Sequence, residues 1–246
     1  QYDLDRLERL ITPKTRLIVV NTPHNPTGAM LSPDAAARVY AMADAVGAWV
    51  LGDEAYRWLA VPGGAPFAKP MIEHGPRGLS VGTLSKPYGL PGLRIGWIAG
   101  PEDLITRCWG LRDYITLSPG KLNDALARLA LSHHDRIVAR NHDIITANLT
   151  VAAQWIDARQ DILSWTPPRG GLLGLVKYDL PIASLELADR LALEYSVMLA
   201  PGSAFGYEHH LRLGIGQRPD IFAAGLVQAG SAVGLERTAK FFDPAT

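Results

Sequence analysis

Three short polar runs hold the side chains in this chain that could do chemistry: Asn21–Asn25, Asp53–Tyr56 and Thr83–Lys86. Each follows an apolar stretch of strand length, and ligands in open α/β sheets sit at the carboxyl ends of strands. Singly, the runs have plainer readings. An Asn-Pro-Thr-Gly stretch makes a turn, an Asp after a strand caps a helix, and a strand-end lysine is solvated. Taken together at three strand ends, with a lysine among them, they amount to more than three turns. A lysine desolvated enough to be neutral part of the time condenses with an aldehyde to form a Schiff base.

The elements that must position these side chains follow from periodicity. Leu4, Leu7, Leu10 and Ile11 have helical spacing, and that helix yields at Pro13. Arg16–Asn21 reads as a buried strand, and Thr22–Gly28, dense in Pro, Gly and Asn, reads as a loop. Ser32-Pro33-Asp34 predicts an N-cap with proline at the first helical position, and the helix runs to about Gly47. Ala48–Gly52, Leu79–Leu84 and Arg94–Ala99 are the next three strands. Strands that are apolar throughout and alternate with helices predict an α/β fold, a mostly parallel sheet with helices on both faces.

Beyond Pro101 the pattern turns helical, over Glu102–Tyr114, Lys121–Ser132 and Asp135–Ala158. Short strands follow near Leu172–Lys177, Val197–Ala200 and Leu211–Leu213, interleaved with helices at Ser184–Tyr195 and Pro219–Val233. This second part reads as a smaller C-terminal α+β domain. The boundary is placed near residue 150, giving a large domain over 1–150 and a small one over 151–246, with 235–246 as a frayed tail.

Composition narrows the function classes. The 246 residues carry 24 Lys+Arg against 24 Asp+Glu, scattered rather than blocked. That balance argues against an electrostatically driven nucleic-acid binder and against a polybasic membrane anchor. A single cysteine, Cys108, excludes an intrachain disulfide framework and a CxxC metal knuckle. No apolar run approaches the ~18 residues of a membrane span. The expectation is a cytoplasmic globular protein with no nucleic-acid or membrane partner.

Thr22–Gly28 (TPHNPTG), Asp53–Tyr56 (DEAY) and Thr83–Trp97 (TLSKPYGLPGLRIGW) resemble the signature segments of class I/II aminotransferases, which are fold-type I enzymes dependent on pyridoxal 5′-phosphate. Pro168–Gly174, Pro201–Gly206 and Leu211–Gly214 agree with the same family. The resemblance implies that Lys86 holds the cofactor covalently and moves the substrate proton. Thr83, Ser85 and Arg94 take the cofactor phosphate through charge-assisted hydrogen bonds. Asp53 pairs with the pyridine nitrogen and keeps the ring a good electron sink. Asn25 and Tyr56 bond the ring's phenolic oxygen, and Arg212 grips the substrate α-carboxylate with its planar fork. The implied catalytic set is Lys86, Asp53 and Tyr56, and Asn25 joins Arg212 at the substrate. The implied reaction is transfer of the amino group of an amino acid to a 2-oxo acid, by an enzyme that is a homodimer when complete.

Other features have plain readings. His133-His134 and His209-His210 are adjacent pairs, the wrong spacing for a metal on one helical face, so no metal is expected. His24 lies beside Asn25 and is as readily structural as functional. The chain opens on Gln1 and runs at once into a helix, so it is expected to correspond to the C-terminal two-thirds of such an enzyme. The phosphate-cradling helix start and ring-stacking aromatic of the family's first third are then outside it, and the isolated chain is expected to bind cofactor weakly, to lack activity and to associate. Two rivals stand beside amino transfer. One is oxidation, cyclisation or elimination on the same scaffold, since Gly110–Asp124 and Leu211–Gln217 resemble enzymes acting on arginine. The other is a non-catalytic sensor domain.

Overall fold

The fold is given by a computed structural model that describes residues 2–232. The expected end of the last helix at Val233 and the expected tail over 235–246 lie outside the described residues. The chain divides into two compact units. The first comprises Gln1–Asn25, Ala29–Asn141 and Arg169–Gly171, and the second comprises Pro26–Gly28, His142–Pro168 and Leu172–Thr246.

In the first unit, α1 (Leu4–Leu10) starts where the Asp3 side chain accepts a hydrogen bond from the Arg6 N–H at 2.8 Å. It is followed by β1 (Leu17–Asn21), α2 (Pro33–Asp44) and β2 (Trp49–Asp53). Ser32 caps α2 by accepting from the Ala35 N–H at 3.1 Å, with Pro33 in the first turn, as the residue types dictate. The helix ends at Asp44, three residues before the left-handed Gly47 that closes the turn. Ala36, Val39 and Ala43 of α2 pack on Ile18, Val20 and Val50 from one face of the sheet. On β1's other face, Leu17 and Val19 are 50% and 58% exposed.

The sheet is completed by β3 (Gly78–Thr83) and β4 (Gly96–Ala99), in the order β1-β2-β3-β4. The first three strands are parallel, and their register sets Asn21 opposite Asp53 and Asp53 opposite Val81. Their carboxyl ends are therefore side by side. β4 runs antiparallel to β3, with Thr83 opposite Gly96. A side chain at Gly82 would run into the indole of Trp97, so glycine is required where the two strands meet. Arg94 does not open β4 as expected. Pro91–Leu93 forms a short 3-10 turn, and Arg94 closes it with a left-handed backbone at φ 53° before the strand begins.

Helices α3 (Glu102–Arg112) and α4 (Lys121–Ser132) follow, and Ala127 and Ala130 of α4 pack with Leu84 and Tyr88. The long α5 (His134–Asp157) carries the division between the units within it, after Asn141.

The second unit holds β5 (Leu163–Trp165), β6 (Leu173–Tyr178), α6 (Ser184–Tyr195), β7 (Ala200–Pro201), β8 (His210–Gly214) and α7 (Pro219–Ala232). Its sheet is antiparallel in the order β5-β6-β8-β7. One strand is added to those expected and one expectation is corrected. β5 was not foreseen, because three residues are too short to display a period. Val197–Leu199 is not strand, because Ser196 closes α6 in a left-handed conformation at φ 56° and the chain needs those residues to return to the sheet.

Asn148 of α5 is fully buried, and its Nδ2 donates to the carbonyls of Ile215 at 3.1 Å and Gln217 at 2.7 Å. This one amide fixes the chain as it leaves β8. Asn148→Ala should lower stability by about 1–3 kcal/mol, since the buried Ile215 carbonyl and the partly buried Gln217 carbonyl lose their donor. Chemical denaturation would show this as a fall in the unfolding midpoint.

Candidate active site

The carboxyl ends of β1, β2 and β3 each carry one of the polar runs. At the end of β1 the Asn21 side chain works in two directions. Its Nδ2 donates to the Asp53 carbonyl at 3.1 Å, and its Oδ1 accepts from the Asn25 N–H at 2.7 Å. The Thr22 N–H also donates to the Asp53 carbonyl, at 3.0 Å. The loop is closed by the His24 N–H on the Ala29 carbonyl at 2.8 Å and by the Leu31 N–H on Thr22 Oγ1 at 3.0 Å. Asn25 is thus held in a fixed relation to Asp53. His24 sets its ring edge-on to Tyr2, with centroids 6.2 Å apart, and burial pushes its pKa down.

At the end of β2 the chain turns sharply. Asp53 is half-buried and its Oδ1 accepts from the Ala55 N–H at 3.2 Å, while Tyr56 is buried. Glu54 points the other way, into the protein, and is 6% exposed. Its carboxylate accepts from the Met71 N–H at 2.8 Å and Ser80 Oγ at 2.8 Å, and pairs with Arg57 Nη1 at 3.2 Å. Arg57 Nη2 donates in turn to the Ala68 carbonyl at 2.8 Å. A buried carboxylate tolerates its desolvation when neighbours supply several donors in this way. The network nails the turn bearing Asp53 and Tyr56 to β3 and to the short 3-10 helix at Met71–His74.

At the end of β3, Thr83 Oγ1 donates to the Ile95 carbonyl at 3.1 Å and lies 3.0 Å from Ser85 Oγ; it also accepts from the Ser85 N–H at 3.0 Å. Two hydroxyls are therefore paired beside the lysine. The Lys86 Nζ lies 6.0 Å from the centroid of the Tyr56 ring. The Lys86 side chain is exposed, whereas Schiff-base chemistry asks for an amine desolvated enough to be neutral part of the time. The reason is local, since Leu84 and Tyr88 on either side turn into the core and leave Lys86 facing out. Arg94 is also exposed, and its guanidinium donates to the Pro91 carbonyl at 2.9 Å.

The structure therefore brings Asn25, Asp53, Tyr56, Thr83, Ser85 and Lys86 to one end of one sheet. Arg94 belongs to the same unit but is turned onto its own loop. Arg212 belongs to the other unit, on β8, half-buried with its guanidinium 4.9 Å from the centroid of Phe205. Sequence reasoning did not single out Asn21 or Glu54 as the supports of this site. Their signal was position: one ends a strand, and the other follows an acid that does.

The model of the family "Aminotransferase class I and II" matches residues 1–221. This chain belongs to that family. Capreomycidine synthase of Streptomyces vinaceus is 34% identical over 220 residues, covering 89% of this chain and 56% of that protein. The solved structure of a PLP-dependent aminotransferase from Streptococcus suis superposes with a TM-score of 0.89 at 32% identity, over 94% of this chain and 61% of that one. The PLP-dependent cyclase OrfR superposes with a TM-score of 0.85 at 34% identity, over 96% of this chain and 62% of that one. The chain spans about half to six-tenths of the length of the relatives it matches.

The fold is that of the fold-type I enzymes of this family, whose cofactor is pyridoxal 5′-phosphate. The donors present fit that group chemically. An amine suits its aldehyde, a half-buried carboxylate its ring nitrogen, and paired hydroxyls its phosphate.

Because Glu54 is the anion on which the turn after β2 is built, Glu54→Ala should destabilise the first unit by up to about 3 kcal/mol, as the partly buried Arg57 is left without its counter-charge. Glu54→Gln keeps an acceptor for Met71 and should lose less. Denaturant titrations of the two variants would rank them.

Proposed function

We propose that this chain supplies the residues with which a pyridoxal-phosphate enzyme holds its cofactor covalently, through Lys86, and transfers the amino group of an amino acid to a 2-oxo acid. The chain by itself is expected to bind cofactor weakly and to lack activity. The observation that carries this reading is the meeting of three parallel strand ends, with Lys86 Nζ 6.0 Å from the Tyr56 ring and Asp53 ending the strand between the Asn25 loop and the lysine. When bound, the cofactor supplies a sink for the negative charge that develops at the substrate α-carbon.

The chain's own residues then have separable tasks. The Asp53 carboxylate keeps the ring nitrogen protonated. Asn25 and Tyr56 hydrogen-bond the ring oxygen, and Asn25 borders the substrate as well. Thr83, Ser85 and Arg94 hold the phosphate; for Arg94 this requires its guanidinium to exchange the Pro91 carbonyl for a stronger, anionic acceptor. Lys86, freed when the amino group of the incoming amino acid takes its place on the cofactor, would move the proton between the substrate α-carbon and the cofactor carbon. Arg212 offers the substrate carboxylate two parallel N–H donors. Homodimer formation belongs to this reading, and large exposed apolar side chains at Trp109, Tyr114 and Ile115 support it.

Cyclisation of an amino acid on the same residues is a second reading. It is favoured by the 34% identity to both capreomycidine synthase and the cyclase OrfR. A co-substrate screen separates the two. Turnover that requires a 2-oxo acid means transfer, and a cyclised product formed without one means cyclisation. Oxygen consumption would replace both readings with oxidation.

In the holoenzyme, Lys86→Ala should abolish the absorbance of covalently held cofactor and cut turnover by at least ~10²–10⁴-fold. Retention of that absorbance would remove Lys86 from its role. Arg212→Lys should weaken amino-acid binding while leaving the cofactor spectrum unchanged, because an ammonium cannot reproduce the guanidinium fork. Isothermal titration with an amino acid and with its decarboxylated amine measures this; equal affinity for the two in the unaltered enzyme would show that Arg212 reads something else.

A further inference from the structure

Two residues beyond Tyr56 and two residues beyond Lys86, the chain places aromatic side chains that meet on a third. Trp58 follows Tyr56 and sets its ring edge-on to His134, with centroids 5.3 Å apart at 80°. Tyr88 follows Lys86 and shares a hydrogen bond with His134, its hydroxyl 2.8 Å from Nδ1. Tyr88 is buried, and the lysine turn is tied down once more where Asn141 Nδ2 donates to the Pro87 carbonyl at 2.8 Å. His134 and Asn141 both lie on α5. One helix therefore grips both loops whose side chains must cooperate.

The backbone of Trp58 shows that this arrangement is held against a local preference. Its φ is 74°, in the left-handed region, where a bulky residue is a genuine outlier and where glycine would be at ease. Such conformations persist when their surroundings over-determine them. The surroundings of Trp58 do so: Arg57 stacks its guanidinium 4.9 Å from the indole, and Phe67 and His134 flank it. Tryptophan at this position is costly to the backbone, and what it obtains is contact with Arg57, Phe67 and His134.

We infer that His134 is a positioning residue that sets the spacing between Lys86 and Tyr56, by clasping Tyr88 through a hydrogen bond and Trp58 through ring contact. It acts through Tyr88 and Trp58 and is not among the residues assigned above to cofactor or substrate. The inference rests on the roles proposed above for Lys86 and Tyr56. A displacement of about 1 Å in such a pair is enough to cost roughly 10²-fold in rate, so a clasp remote from the chemistry has leverage over it.

The test uses the holoenzyme, with the ratio of the bound cofactor's two absorbance bands at fixed pH as a readout besides rate. His134→Ala and Trp58→Gly should each change that ratio severalfold and lower kcat by about 10- to 100-fold, with KM within about twofold. Trp58→Gly suits the left-handed backbone, so its melting temperature should hold while the spectrum changes. His134→Asn offers an amide that can donate or accept near the position of Nδ1 but no ring to meet Trp58, so its spectrum and rate should fall between those of His134→Ala and the unaltered enzyme. If His134→Ala and Trp58→Gly leave both readouts unchanged while Lys86→Ala abolishes the covalent absorbance, the clasp is wrong and the proposed site stands. If Lys86→Ala keeps that absorbance, the proposed site itself is wrong. If His134→Asn matches His134→Ala at an equal melting temperature, the hydrogen bond to Tyr88 does not carry the effect and the inference is overturned.

Discussion

The carbonyl oxygen of Asp53 accepts two hydrogen bonds, one from the backbone of Thr22 and one from the side chain of Asn21. That shared acceptor is the constraint on which the rest of the site depends. It extends the ladder between β1 and β2 past the last strand residue, so the loop carrying Asn25 leaves the sheet at a set angle to Asp53. Parallel register then passes the alignment on to β3, where the Glu54 N–H takes the Val81 carbonyl and Thr83, two residues on, opens the run to Lys86. Parallel strands align their like ends by construction, and side chains distant in sequence are gathered without any of them having to find the others.

Two adjacent acids show how that backbone sorts identical charges. Successive side chains leaving a strand point to opposite faces. Asp53 comes out half-buried, whereas Glu54 goes in and is covered. The interior one needs Arg57, Ser80 and the Met71 amide to offset its lost hydration, and it also needs Gly52, since a side chain there would lie 2.9 Å from Glu54 Oε1. The buried acid holds the turn, and the outer one stays half-buried at the strand end, where the role proposed for it would need it.

Much of this was legible in the order of residue types. Apolar runs bounded by Asn, Asp and Thr marked β1, β2 and β3 and therefore the place where Asn25, Asp53, Tyr56 and Lys86 collect. Ser32-Pro33 marked the start of α2, and Ser184–Tyr195 was found at its full length. What escaped was whatever depends on only a few residues or on distant contacts. β5 has three residues and no period, and Arg94 sits at a turn that the following strand-like run concealed. The exposure of Lys86 is set by how Leu84 and Tyr88 pack on α4, which local spacing does not encode. Nothing in the residue type of Trp58 announces a left-handed backbone, because tryptophan argues against one.

The reversed direction of β4 has a consequence for how this fold can diversify. Since Thr83 pairs with Gly96, the segment 84–95 leaves and re-enters the sheet at adjacent points. A parallel fourth strand would have demanded a crossover of a dozen or more residues to the far end of the sheet and back. The hairpin-like closure leaves freedom only at the tip of the segment, where Gly89 and Gly92 have open space around them, since Leu84 and Tyr88 are packed in the core and Pro87 is tied to Asn141. That tip can be lengthened or shortened while both anchor residues stay paired, and doubling a loop's length costs only about 0.6 kcal/mol in closure entropy. Length can thus vary at the outer turn without rebuilding the strands or the packed stretch beneath it.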